Sequence, residues 1–472
     1  MSETATPVPA QMHRGLQNRH IRMIGLGSAI GTGLFLVSGS TIQTAGPAVL
    51  LAYVLAGAVI FLIMRMLGEM AVHSPVAGSF SEYAREHCGP LVGFIAGWNW
   101  WMTCIVVSML ELTAVGTFMD FWFPGIPHWV TAAVALVLIT GVNLIHVSAF
   151  GEFEFWFTLI KVAAVVAMIV FGVAIVFGAG HYDTAALSNL WNSGGFAPHG
   201  ITGILLSLVA VTFTFGGIES LGTTAGEAKD PARSIPKAVN GVIVRILIFY
   251  VGAIGVMLMI WPWARVGVDG SPFVLMLDGL GVGGAATLLN IVVLVAALSV
   301  YNTMVYSNAR VLHGMAAKKQ APALLAKTNH RGVPVTGIVI NSAITAIVVL
   351  LNYLFPGQLL MILVAIILSA EIITWSTIAI SHLRFRRTVG AGVFRSPLYP
   401  YTNYLVLAYL AGVVVLMTQL PDFRAGAIAL PLWLAGLLAA ALLYRRIRRN
   451  RDHASADTAA EAGRPLIDHT PT

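Results

Sequence analysis

The residues best suited to chemistry in this 472-residue chain are glycines and isolated charges set inside apolar sequence. Two stretches, Gly27-Ser28-Ala29-Ile30-Gly31-Thr32-Gly33 and Thr212-Phe213-Thr214-Phe215-Gly216-Gly217-Ile218-Glu219, interrupt long hydrophobic segments. Backbone polar groups cannot be left bare in hydrocarbon, so an interruption there must line a cavity or meet a ligand. Gly31 and Gly33 let a ligand come close to the main chain. The amides that open the following half-helix carry partial positive charge suited to a carboxylate, and Ser28 and Thr32 can donate hydroxyl hydrogen bonds to the same anion. At the second interruption, unwound carbonyls near Phe213 and Gly216 offer partial negative charge to an ammonium group. A zwitterion fits across the pair. Glycine spacing of this kind also marks close helix packing. A phosphate-cradling loop would need a preceding strand, which neither stretch has. Because both halves of the chain carry an interruption, ligand binding is the reading favoured over packing.

Charges inside apolar segments form the second chemical set. Glu69, Glu111, Lys161, Glu219, Glu227 and Glu371 lie in or at the ends of such segments, where a charge costs about 2.5–3.5 kcal/mol on insertion scales. Each therefore needs a partner or a wet cavity. Lys161 is deep enough to act as a proton carrier, and equally suits a structural lysine paired with a carboxylate or freed carbonyls. Glu69 beside Arg65, and Glu227 beside Lys229, read as structural pairs at cytoplasmic helix ends. Glu111 and Glu219 lie deeper and read as functional, while Glu371 has no assigned role.

These residues must be positioned by membrane-spanning helices. The chain is 57% hydrophobic and 10% charged, with a mean hydropathy of +0.83, whereas a soluble domain carries about a quarter charged residues. Twelve apolar segments approach the roughly 20 residues that cross a bilayer core: 21–44, 47–72, 91–119, 128–146, 153–178, 200–226, 237–263, 281–314, 335–354, 357–384, 401–419 and 424–445. They are long and continuous rather than short and alternating, which predicts an all-α integral membrane protein and excludes a β-barrel. All but four of the 27 lysines and arginines fall in the tails, in loops after even-numbered spans or at span edges. The exceptions are Arg65, Lys161, Arg265 and Arg424, and the asymmetry predicts that both tails are cytoplasmic. The net charge of +7 is thus a topology signal with headgroup anchoring, and implies no nucleic-acid partner.

The interruptions divide the chain into a first five-span unit (21–178) and a second (200–385), each opening with a broken helix. An odd number of spans per unit inverts the second, giving a 5+5 inverted repeat with broken helices 1 and 6. Residues 179–199 form the external connector, and 401–445 hold two further helices. Residues 1–20 form a polar cytoplasmic tail without a cleavable signal. Residues 446–472 form the other tail, expected to be disordered from Asn450 onward. Cys88 and Cys104 are the only cysteines, and no disulfide, metal or cofactor is expected.

Longer motifs carry a family resemblance over residues 14–445. Asn18-Arg19-His20-Ile21, Gly31-Thr32-Gly33-Leu34-Phe35, Ala45-Gly46-Pro47, Gly68-Glu69-Met70, Pro75-Val76-Ala77-Gly78-Ser79-Phe80 and Phe150-Gly151-Glu152-Phe153-Glu154-Phe155-Trp156-Phe157 resemble the amino acid permeases of the amino acid-polyamine-organocation superfamily. Glu111-Leu112-Thr113-Ala114-Val115-Gly116, Ala297-Leu298-Ser299-Val300-Tyr301-Asn302 and Arg331-Gly332-Val333-Pro334-Val335 are similar to bacterial aromatic amino acid permeases, general or phenylalanine-preferring. The resemblance implies alternating access and uptake of an amino acid with a proton across the bacterial cytoplasmic membrane. It implies that Gly31, Thr32 and Gly33 hold the carboxylate and that carbonyls of Ala29, Phe213 and Gly216 hold the amine. Phe213, Phe215, Thr103, Cys104, Ser108 and Glu111 would line the side-chain pocket. Lys161 matches a lysine that takes the place of a sodium ion in related proton-driven members, and Glu219 matches an acidic gate. Cys104 stands where aromatic permeases commonly carry Tyr or Phe, which loosens the substrate assignment and keeps histidine, proline or another neutral amino acid as alternatives.

Other classes fit the residues less well. A membrane enzyme would need a nucleophile with its base or a metal cluster, whereas His73, His146 and His313 lie in loops or at span edges without ligand spacing. A channel would need a continuous polar path, whereas the polar groups converge on two interruptions.

Overall fold

The computed structural model describes residues 31–462 except 77–78, 146, 179–183, 224–229, 268–269, 330–331 and 356. Every regular element among them is helical. A helix satisfies its own backbone hydrogen bonds, which is what segments this rich in Leu, Val, Ala and Ile require in an apolar medium. Eight helices among the described residues are long and apolar enough to cross a membrane, and three more are shorter: His128–Leu144, Gly200–Phe213 and Tyr401–Met417. Large apolar side chains such as Val137, Leu138, Val170 and Leu432 are exposed on the outside of the bundle, as a lipid-facing surface would have them.

Gly and Pro punctuate these helices. A π-helical run, Gly33–Val37, leads into α1 (Ser38–Ala45). At Gly46 the chain takes φ +62°, and Pro47 follows before α2 (Val49–His73) begins. The short polar α3 (Ser79–Cys88) ends at Gly89 with φ +99°, and Pro90 opens α4 (Pro90–Met119). Glycine admits the positive φ at both turns, and proline suits a first helical position because its missing N–H has no intrahelical partner there. Then come α5 (His128–Ile145), α6 (Val147–Val176), α7 (Gly200–Phe213), α8 (Ser220–Thr223), α9 (Pro231–Arg245) and α10 (Ala253–Ile260). They are followed by α11 (Pro272–Gly279), α12 (Gly283–Ala317), α13 (Val335–Thr345), α14 (Ile347–Leu354), α15 (Leu359–Thr388), α16 (Tyr401–Met417) and α17 (Pro421–Ala462).

The helix α4 is the centre of the bundle, packed by α12, α15, α3 and α5. It buries Asn99, Thr103, Ser108, Glu111 and Thr113 among its apolar residues. Asn99 pins it to two neighbours: its Nδ2 donates to the Ala370 carbonyl at 2.9 Å and to Thr374 Oγ1 at 3.0 Å, and its Oδ1 accepts from Trp433 Nε1 at 3.1 Å. Outside the spanning helices, Glu82 on α3 accepts from Arg85 and, at 2.6 Å, from Lys318. Burial pushes its carboxyl up, but these cations outweigh that and hold it below the usual carboxylate range.

Three boundaries differ from those expected. The helix expected over 200–226 stops at Phe213, and residues 214–219 are turns before α8. The next helix starts at Pro231 rather than 237, capped by proline at its first position. The terminal helix α17 runs through the arginine cluster to Ala462, past Asn450, from which disorder is expected. Residues 450–462 hold no Gly or Pro; the first is Gly463. Of the expected ligand groups, Ser28 and Ala29 lie outside the described residues, as do Glu227, Lys229 and the 1–20 tail.

Candidate functional site

The two interruptions meet. A Cβ built on Gly33 would sit 2.9 Å from Thr214 Cα, closer than real Cβ atoms approach, so the missing side chain is what lets the start of the first helix touch the second turn. Gly33 therefore does the close-packing work that glycine spacing also suggested. Gly31 does not: a Cβ there would meet only Val300 Cγ2 at 3.7 Å, an ordinary contact. It sits in a bend just before the helix that Thr32 caps. It stands at the opening of a helix, where the first amides have no intrahelical partner, the arrangement that receives an anion.

Across the gap, α7 ends at Phe213 and Gly217 takes φ +85°. The Phe213 carbonyl accepts from Gly216 N–H at 2.9 Å, a turn bond that leaves its second lone pair open. The Thr214 carbonyl accepts from the Tyr250 hydroxyl at 2.8 Å, which anchors the turn from outside. Phe213 and Phe215 are both buried. Phe215 packs into an aromatic cluster, 4.8 Å from the Tyr250 ring and 6.1 Å from the Tyr53 ring.

The third-span residues sort into two groups. Thr103 and Ser108 return their hydroxyls to their own helix, to the Asn99 carbonyl at 2.9 Å and the Cys104 carbonyl at 2.7 Å. Cys104 is fully buried, in the electrostatic field of Glu371 and Glu219. Glu111 reaches the first interruption and accepts from Thr32 Oγ1 at 3.0 Å, while its Oε2 has no hydrogen-bond partner. The Thr32 hydroxyl expected at the carboxylate is thus held by Glu111 in this arrangement, and the backbone amides remain for the anion.

Lys161 is fully buried on α6. Its ammonium donates to Ser299 Oγ at 3.2 Å and lies 3.9 Å from Glu154. Ser299 donates onward to Glu154 Oε2 at 2.8 Å, and Thr303 and Thr158 donate to the same carboxylate at 3.1 and 3.3 Å. A lysine, a bridging hydroxyl and a carboxylate thus form one chain of hydrogen bonds between α6 and α12. Glu154 had no assigned role in the sequence, although it lies seven residues before Lys161 and hence two turns away on the same helix face. Glu219, the expected gate, accepts from Trp375 Nε1 at 3.1 Å.

Glu69 is structural, but its partner differs from the one expected. Its carboxylate accepts from His382 Nε2 at 2.9 Å and from the Gly392 and Ser396 amides at 3.0 and 2.6 Å, and it pairs with Arg386 at 3.3 Å. Arg65, one turn away, turns instead to Asn240 Oδ1 at 3.1 Å and to the Arg395 carbonyl. Sequence proximity missed these partners because His382 and Arg386 arrive from α15 and the two amides from the loop after it. Among the described residues no group of three or more His, Cys, Asp or Glu is placed to hold a metal.

Comparison with known proteins agrees with this architecture. The amino acid permease family matches residues 20–454. The aromatic amino acid transport protein AroP of Escherichia coli K12 is 50% identical over 428 residues, 90% of this chain and 94% of that protein. AroP of Salmonella typhimurium LT2 is 49% identical over the same span. The uncharacterized amino acid permease YtnA of Bacillus subtilis 168 is 47% identical over 436 residues, 91% of this chain and 94% of that protein. The chain belongs to the amino acid permease family, as a multi-pass membrane protein that imports amino acids.

Proposed function

We propose that this permease takes up aromatic amino acids, phenylalanine, tyrosine and tryptophan, together with a proton, across the bacterial cytoplasmic membrane. The observation that carries this reading is the meeting of the two interruptions, Gly33 against Thr214. It sets helix-opening amides opposite unwound carbonyls, a match for the carboxylate and ammonium of an amino acid. Gly31 and Gly33 hold the carboxylate and the carbonyls of Ala29, Phe213 and Gly216 hold the amine. Phe213, Cys104 and Glu111 border the side chain. The aromatic assignment is supported by the names of the AroP relatives. Twelve spans in a five-plus-five inverted repeat, with two further helices and both tails cytoplasmic, supply alternating access. Each access state exposes the same site to one side, and the repeat lets the two states be near mirror arrangements.

Proton coupling runs through Lys161. Its Ser299–Glu154 chain gives the ammonium a neutral and a charged partner, so charge can be gained and lost there without leaving a buried ion bare. A sodium site would want several oxygens around an empty centre, and here an ammonium fills the place.

Counterflow in proteoliposomes tests the substrate directly. Labelled phenylalanine should enter vesicles loaded with unlabelled phenylalanine, tyrosine or tryptophan. Entry driven instead by proline or histidine alone would remove the aromatic assignment.

A further inference from the structure

The acid that the sequence left without a role, Glu371, lies against the second interruption. It sits on α15, and its Cγ is 3.6 Å from where a Cβ on Gly216 would be. Glu371 and Glu219 are both buried. Their carboxyl groups act on each other beside the Gly217 backbone. Trp375, one turn along α15, donates its indole N–H to Glu219 Oε2 at 3.1 Å. When this donor is counted, Glu219 Oε1 and Glu371 Oε2 each still lack an N–H or O–H partner. From α4, Cys104 lies in the field of both acids.

An ionised carboxylate only accepts hydrogen bonds, so two of them can bond each other only when one carries a proton. A proton between Glu219 and Glu371 gives both orphaned oxygens a partner and removes one of two buried like charges. We propose that Glu371 is a positioning acid for transport: it shares a single proton with Glu219 and thereby ties the broken helix to α15. Release of that proton to water leaves two carboxylates in contact, whose repulsion drives the turn at 214–219 away from α15. Protonation and closure of the site are then one event. The place of this dyad in transport rests on the proton-driven reading above, whereas the shared proton itself does not.

Infrared difference spectroscopy of the reconstituted full-length protein reads the proton directly. At neutral pH the wild type should show a protonated-carboxyl C=O stretch that is lost in Glu371→Gln and in Glu219→Gln, and in the wild type on strong alkalinisation. A band that persists in both variants and disappears in Glu111→Gln would belong to Glu111. In transport, Glu371→Gln should lose accumulation driven by a pH gradient and keep phenylalanine counterflow, because the amide can still donate to Glu219 without a proton. Absence of a band sensitive to residues 219 and 371 overturns the dyad, as does undiminished accumulation by Glu371→Gln. If the band is present but the wild type never accumulates substrate on a pH gradient, the shared proton is upheld and the symport reading fails.

Discussion

At Lys161 a fully buried ammonium touches a hydroxyl at 3.2 Å and stands 3.9 Å from a carboxylate. Removing the amine should uncouple transport rather than dismantle the proposed substrate site, whose residues belong to other elements. Lys161→Ala is expected to abolish pH-driven accumulation in proteoliposomes while exchange of labelled for unlabelled substrate continues. Glu154→Gln should cost stability as well, since breaking a buried ion pair from one side costs about 3–5 kcal/mol. Its thermal denaturation should therefore begin well below that of the wild type. Selectivity is a second residue-scale matter. Aromatic substrates gain by burying apolar area, at about 25 cal/mol per Å², and ring contact adds about 0.5–1.5 kcal/mol. Cys104 leaves more room than Tyr or Phe would, so Cys104→Phe should penalise tryptophan uptake more than phenylalanine uptake. Phe213→Ala should weaken all three aromatic substrates. An unchanged ranking in competition assays would place Cys104 away from the substrate. Phe215, packed edge-on to Tyr53 and tilted against Tyr250, is expected to act on stability more than on selectivity.

At the scale of elements, the approach of the first helix to the second turn is set by one missing side chain. Gly33→Val adds atoms where even a Cβ would stand 2.9 Å from Thr214 Cα. Overpacking of this kind typically costs about 1–3 kcal/mol. The variant should keep its helical circular dichroism and lose binding and counterflow together, because amides and carbonyls are pushed apart. Much of this arrangement was legible beforehand. The interruption after Phe213 announces itself as Thr-Phe-Thr-Phe-Gly-Gly within apolar sequence, and the structure turns at 214–219. Burial of Lys161 followed from its position in an apolar run. The hydroxyls that bond it and Glu154 did not, because Ser299 and Thr303 arrive from α12, more than a hundred residues later. The Glu69 network was misread for the same reason: hydrophobic periodicity locates a helix and its face, but not which distant loop closes over its end. Glu371 could be placed inside a span, yet only the packing of α15 against the turn sets it beside Glu219.

For the whole molecule, orientation follows from charge. The cluster Arg445–Arg451 and most other lysines and arginines belong to the tails and to the loops expected on the cytoplasmic side, and Asn192 in the expected external connector is exposed. Single cysteines introduced at Asn192 and Ser455, with Cys88 and Cys104 replaced, should react with an impermeant thiol reagent from opposite faces of the membrane. Labelling from the same face would contradict the five-plus-five arrangement. Alternating access requires that both faces reach the same site in turn, which is how a site buried between two interruptions can still load and unload. The central claim is that this site moves an aromatic amino acid together with a proton. Its most direct test is accumulation of labelled phenylalanine by proteoliposomes under an imposed inward proton gradient without sodium. Accumulation above equilibrium, abolished by a protonophore and blocked by excess tyrosine or tryptophan, is the predicted result. Uptake that only equilibrates, that requires sodium, or that is blocked by proline or histidine but not by the aromatic amino acids would contradict it.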